Sequence, residues 1–147
     1  MTNHANILAR FLALLIDSVL LSVVVALIYA VFGGFMALIG GSENPFLNLV
    51  AAASLLVMML ALFLLQFGYF GYFWSTSGQT PGMRLTNVKV VDQATGQPIS
   101  FVVGALRGSL GYYISGALFG LGYIWAIFDE NNEAWHDKLF RTWVVSV

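Results

Sequence analysis

Two apolar runs, Ile7 to Gly33 and Pro45 to Trp74, constrain this chain more than any other feature. A bilayer core takes about 20 predominantly apolar residues to cross as a helix. Each run exceeds that, and the only charges inside them are Arg10 and Asp17. Charged residues are 9% of the chain and apolar residues 59%, whereas a soluble domain carries roughly 25% charged residues. Such a chain cannot clothe a water-facing surface, and its length is that of one domain. The first run is too long for the roughly 7–15-residue apolar region of a secretory leader. It also holds Asp17, and Met1-Thr2-Asn3-His4 before it contains no lysine or arginine. It reads as a retained membrane helix.

Other classes fall away on composition. A formal net charge of −1 and no basic patch leave nothing for nucleic-acid phosphates. The absence of cysteine removes disulfides, thiolate metal sites and cysteine nucleophiles. His4 and His136 are the only histidines and lie far apart in sequence, so neither a zinc site nor haem with paired axial histidines is expected. No cofactor is expected, bound quinone included.

Between and beyond the two runs, glycine marks the turns. Gly33-Gly34 and then Gly40-Gly41-Ser42-Glu43-Asn44-Pro45 read as a loop, with Asn44 as N-cap and Pro45 opening the second helix. The aromatic end of that helix, Phe67, Tyr69, Phe70, Tyr72, Phe73 and Trp74, has the look of an interfacial belt. Residues 75–100 turn polar and β-branched. A strand or hairpin is expected over 83–100, and Thr142 to Val147 is a second strand that could pair with Leu85 to Val91. Residues 101–128 are apolar but hold Arg107 and many small residues, with small-xxx-small spacings at Gly104/Gly108 and Gly116/Gly120. This third segment either crosses once or re-enters, broken near Ser115-Gly116.

The predicted fold class is thus an all-α polytopic membrane protein: two full transmembrane helices, a third apolar segment that is re-entrant, broken or a single crossing, and a small cytoplasmic β element. Arg84, Lys89, Lys138 and Arg141 all fall outside the apolar runs, while 34–45 has no basic residue. The positive-inside rule then puts the N-terminus and 75–100 in the cytoplasm of an inner membrane, and favours the tail there too. That preference favours re-entry over a single crossing.

Arg10 and Asp17 are the sharpest chemical signal. Seven residues apart, they share one helix face, about 10 Å from each other along the axis. A charged aspartate inside hydrocarbon costs about 2.5–3.5 kcal/mol on insertion scales, so Asp17 must face the protein interior and find a partner or hold a proton. Arg107 is the expected cation, while Arg10 could snorkel to the interface. Gln66 is a weaker polar candidate for a bond between helices. Thr80-Pro81-Gly82-Met83-Arg84 reads as a shaped turn. His136 sits beside Asp137 and could titrate near neutral pH or simply anchor a cap; no serine or cysteine pattern accompanies it, so no enzyme is expected.

The ordered set Ala9 to Asp17, Thr80 to Leu85, Leu106-Arg107, Phe128-Asp129 and His136 to Val145 resembles the RDD family of membrane proteins, over nearly the whole chain. By that resemblance Arg10 is the arginine opening the first helix and Asp17 the aspartate within it. The second aspartate is Asp137 or, in competition, Asp129. Arg141 stands where a glycine often precedes the final threonine. The resemblance implies a transport role without naming a ligand. The expectation is a transport-related membrane protein, exchanging a proton with a monovalent cation such as Na⁺ at a buried Asp/Arg site, in a homo-oligomer within the lipid bilayer. The alternative is a scaffold or assembly subunit that binds another membrane protein.

Overall fold

The computed structural model describes residues 3–39 and 42–147. Gly40 and Gly41 of the expected loop, and Met1 and Thr2, lie outside the described residues. The fold is mostly helical with one small sheet. Two helices, α1 (Ile7–Ile39) and α2 (Pro45–Thr76), are long and apolar enough to cross a membrane. At 33 residues, α1 is about 50 Å long. It runs through Gly33 and Gly34, which were expected to end it; a Cβ added at either would meet nothing within 4 Å beyond its own helix, and an exposed glycine weakens a helix by only about 1 kcal/mol. Asn44 caps α2 as expected, its Oδ1 accepting from Phe46 N–H at 2.9 Å.

The chain divides into two compact units. One comprises residues 19–65, the greater parts of α1 and α2. Its side chains point apolar groups outward all round; Leu38 is 85% exposed and Leu56 69%. A helix apolar on every side needs a lipid surround. Its recorded polar contacts are short-range ones, apart from Ser54, whose hydroxyl lies 3.3 Å from Met36 Sδ.

The other unit, residues 3–18 and 66–147, holds the core. After α2 comes a one-turn helix, α3 (Pro81–Leu85), then β1 (Val88–Asp92). The expected local hairpin over 83–100 does not form. Residues 83–85 are helical, and after Asp92 the chain turns, with Asp92 Oδ1 accepting from the N–H groups of Ala94 and Thr95 at 3.0 and 2.9 Å. The partner of β1 is instead the tail strand β2 (Thr142–Ser146), antiparallel, with Val90 opposite Val144. Neither edge is left bare. Ala5 N–H donates to Val144 O and Ser146 N–H to Asn3 O on one side, and Val90 N–H reaches Gly78 O on the other. Unpaired strand edges are association hazards, and here the chain's own start covers one of them.

The third apolar segment is broken, as one of its two readings held. Helix α4 (Phe101–Leu106) continues through a π turn, Arg107–Gly111, into α5 (Tyr112–Gly116). The chain then bends by 102° before α6 (Leu121–Ile124) and a 3₁₀ turn, Trp125–Ile127. The break falls at 117–120 rather than at Ser115-Gly116, because Phe119 and Gly120 take positive φ values of 53° and 79° and reverse the chain. The π turn places Gly108 O within 2.8 Å of Gln66 Nε2, the inter-helix bond expected of that glutamine. The two glycine spacings part ways. Gly104 and Gly108 lie against Phe70, Gly71 and Trp74 of α2, whereas Gly116 and Gly120 have no close neighbour nearer than 4.0 Å. The aromatic end of α2 is also split. Tyr72 is exposed, but Phe70 and Trp74 are buried and pack with Tyr112 rather than forming a belt. Finally α7 (Trp135–Leu139) leads into β2.

A Cβ on Gly108 would stand 2.4 Å from Phe70 Cβ, so Gly108→Ala is expected to destabilise by about 1–3 kcal/mol through overpacking. Gly34→Ala, in open space, is expected to be neutral or mildly stabilising. Thermal denaturation of the two variants in one detergent checks both signs.

Candidate functional site

Sequence reasoning joined Asp17 to Arg107. The structure separates them, and two sites result. Asp17 is buried, one turn past the start of the inward face of α1 at Ala13. Its Oδ1 accepts from Tyr69 O–H at 2.8 Å and from Gly82 N–H at 2.8 Å, and its Oδ2 accepts from Thr80 O–H. Thr80 is itself the N-cap of α3, accepting from Met83 N–H at 3.3 Å. Thr80-Pro81-Gly82 is therefore the seat of a membrane carboxylate, which the sequence reading had only as a turn. Among the described residues Asp17 forms no ion pair; all three of its donors are neutral. Tyr69 was missed as a site residue, since a tyrosine among six aromatics carries no distinguishing signal in sequence. Arg84, on the same turn, is exposed and donates to Ser77 Oγ at 3.3 Å.

The guanidiniums converge on the other aspartate. Arg10 donates through Nη2 to Asp137 Oδ2 and through Nη1 to Asn132 O. Arg107 donates through Nη2 to Asp137 Oδ1 and through Nε to Thr142 Oγ1 at 3.0 Å. Arg10 does not snorkel outward; it is anchored inside the protein. Asp137 also accepts from Ala134 N–H at 2.9 Å, which caps α7. Arg107 and Asp137 are each 1% exposed, and the Arg107 guanidinium lies 4.4 Å from the centre of the Trp74 ring. Burial alone would raise the Asp137 carboxyl. His136 and the two guanidiniums outweigh it and hold the group well below the usual carboxylate range. Of the two competing aspartates, Asp137 is the one that meets Arg10 and Arg107. Asp129 lies nearer the surface, paired with Lys138 and accepting from Glu133 N–H.

His136 is buried beneath α5, with Nδ1 2.8 Å from Ser115 Oγ and its ring against Tyr112 and Tyr123. A titration near neutrality was one expectation for it. Burial, with the nearby guanidiniums, instead pushes its pKa down to about 3 despite the opposing pull of Asp137. A serine does stand beside this histidine in space, and Nε2 lies 3.5 Å from Asp137 Oδ1. Ser115, however, is fully buried and its oxygen already accepts the His136 backbone N–H at 3.2 Å. The three groups act as a lock between α5 and α7.

Both sites border one cavity of about 610 Å³ inside this unit. Arg10, Asp17, Arg107 and His136 contribute its polar wall, and Leu14, Phe11 and Tyr123 are among the residues of its larger apolar one. Among the described residues no cluster of three or more histidine, aspartate or glutamate side chains could hold a metal ion.

The chain's relatives bear on this arrangement. A model of the RDD family matches residues 4–141. The chain belongs to the RDD family. Together with two membrane-length apolar helices, this makes it a membrane protein. An uncharacterized protein of Bacillus subtilis, YxaI, is 29% identical over 152 residues, 99% of each chain. The proline-rich antigen homolog of Mycobacterium tuberculosis is 30% identical over 78 residues, 53% of this chain and 32% of that one. The proline-rich antigen of Mycobacterium leprae is 27% identical over 73 residues, 50% of this chain and 29% of that one. The match thus spans about a third of the length of the mycobacterial relatives or less. No solved structure matches significantly. The matched range includes Arg10, Asp17, Arg107, Asp129 and Asp137.

Two outcomes are expected. A Cβ on Gly82 would stand 2.2 Å from Ala13 O and 2.9 Å from the Asp17 carboxyl, so Gly82→Ala should cost at least about 1–3 kcal/mol of stability, read as a lowered thermal midpoint. The second concerns acid. The folded His136 releases its proton more readily than the unfolded ring at about 6.5, so its contribution is complete above that pH and is lost as pH falls toward about 3. The loss is at most about 1.4 kcal/mol per pH unit. The thermal midpoint should fall between pH 7 and pH 5, and His136→Asn, which keeps a partner for Ser115, should flatten that slope.

Proposed function

We propose that this RDD-family membrane protein is transport-related and that Asp17 is its exchange site, holding a proton or a monovalent cation in turn. The observation that carries the reading is the contrast between the two aspartates. Asp137 is bridged by two guanidiniums, and a carboxylate so paired stays ionised and closed to other cations. Asp17 borders the same cavity, yet its partners are two hydroxyls and one amide. A hydroxyl both donates and accepts. Tyr69 and Thr80 can therefore donate to a bare carboxylate or turn their oxygens to a bound cation. Ionisable groups inside membrane segments mark proton and ion routes by default. In this reading Asp137 with Arg10 and Arg107 is the lock, and Asp17 with its neutral donors is the working site. A homo-oligomer in an inner membrane, N-terminus on the cytoplasmic side, completes the proposal, since one chain of 147 residues is small for a two-gated path.

A second reading has its own support. The three bonds to Asp17 also pin α2 and α3 against α1, which is all a scaffold or assembly subunit for another membrane protein would require of them.

Proton movement in proteoliposomes under a pH gradient separates the two. Cation-dependent movement on addition of Na⁺, K⁺ or Li⁺ is expected from the wild type and should drop to the protein-free baseline in Asp17→Asn, which keeps the size of the group and loses its charge. Size-exclusion profiles establish that both are folded. No movement by folded wild type with any of the three ions overturns exchange and leaves the scaffold reading.

A further inference from the structure

The cavity asks for more than a small cation. Its apolar wall is formed by side chains such as Leu14, Phe11, Tyr123 and Ile124, far more surface than a hydrated ion or a proton would use. Its volume of about 610 Å³ lies within the roughly 300–1,000 Å³ of sites that enclose an organic ligand. Several of the residues around it also face outward. Leu8 is 62% exposed, Ile127 58% and Phe119 fully exposed, so the apolar end of the cavity is continuous with surface that lipid tails would cover.

The polar end is short of an acceptor. Two guanidiniums, Arg10 and Arg107, share one carboxylate, Asp137, and that cluster carries an excess positive charge. Arg107 spends Nη2 on Asp137 and Nε on Thr142, but its Nη1 is buried with no acceptor among the described residues. The face of Trp74 nearby offers a cation only part of what an acceptor would. An unpaired buried donor is destabilising, the more so when charged, and arginine is donor-only. Asp17 cannot answer this demand, because it is taken up by Tyr69, Thr80 and Gly82. Nor does His136 add charge of its own near neutral pH, its Nδ1 being engaged with Ser115.

We infer that the cavity binds a single-chain anionic amphiphile drawn from the membrane, its carboxylate or phosphate head at Arg107 and Arg10 and its acyl chain along the wall of Leu14, Phe11 and Ile124. Arginine suits such a head, since its planar fork matches carboxylate and phosphate oxygens alike. The chain is selected by the wall and the charge by the cluster; neither alone accounts for the composition of the site. This binding does not rest on exchange at Asp17, since the head is placed at Arg107 and Arg10 and the chain along the apolar wall.

Native mass spectrometry of delipidated, full-length protein in a nonionic detergent tests it. The probes are oleate, oleoyl lysophosphatidate, the neutral monoolein, and acetate and inorganic phosphate as heads without a chain. One copy of oleate or of lysophosphatidate per chain is expected, at least about tenfold better retained than monoolein, with no retention of the bare heads. Which of the two anionic lipids is held better assigns the head. Leu14→Trp leaves the charge cluster untouched and fills the apolar part of the cavity, so it should lose the bound lipid at least about tenfold. Arg107→Lys keeps a positive charge opposite Asp137 but lacks the fork, and should narrow the preference over monoolein. Equal retention of monoolein, retention of a bare head, or undiminished retention by folded Leu14→Trp would each overturn the inference.

Discussion

The interaction on which the rest depends is the double salt bridge to Asp137. Taking one carboxylate and two guanidiniums out of water is costly, and their attraction repays it only where the geometry is good and the remaining donors are satisfied. Asp137 meets that condition at its own oxygens, which accept from Arg10 of α1, Arg107 of the π turn and the Ala134 N–H, while Arg107 Nη1 stays without an acceptor among the described residues. Three segments far apart in the chain are thereby tied at one point. Removing Asp137 leaves the guanidiniums without their counter-charge, which costs about 3–5 kcal/mol. The rest of the unit follows from this knot. Thr142, at the start of β2, is held by Arg107 Nε, so the tail strand is delivered to β1 from the charged cluster.

Around the knot, small residues decide how closely the apolar segments approach. Gly104 and Gly108 admit Phe70 and Trp74, Gly122 admits Ser115, and Gly82 admits the Ala13 carbonyl beside Asp17. Each of these glycines is short of room for a methyl group rather than short of a torsion, since none has a positive φ. In a membrane, where helices gain little by hiding apolar area from one another, such close approach is a main source of attraction. The glycines at Gly33 and Gly34, which meet nothing, have no such role, and there the helix simply continues.

The two aspartates show how environment divides chemistry between equal side chains. One is surrounded by cations and belongs to the architecture. The other is surrounded by neutral donors at the wall of a cavity, and the proposed function rests there. The pairing expected from sequence placed Arg107 with Asp17 because both were ionisable groups in apolar segments. Charge complementarity was the right principle, and Asp137 was a candidate for the same network, but it lies outside the apolar runs and nothing in its spacing tells that α7 folds back beneath α5 to take both guanidiniums.

What the sequence by itself determined was everything that depends on local composition. The membrane class, the two long helices, the N-cap at Asn44, the strand at Val88–Asp92 and the family resemblance were legible because hydropathy, capping and β-propensity act within a turn or two of the chain. The possible union of β1 with the tail was legible too, since both are β-branched and each needed an edge partner. Only the tertiary structure decided which charge meets which, where the third segment breaks, that Tyr69 serves Asp17, and that His136 lies buried against Ser115. These are contacts between residues as many as 127 positions apart, and the energy that selects among them comes from desolvation and close packing, neither of which is written in the order of any short stretch of residues.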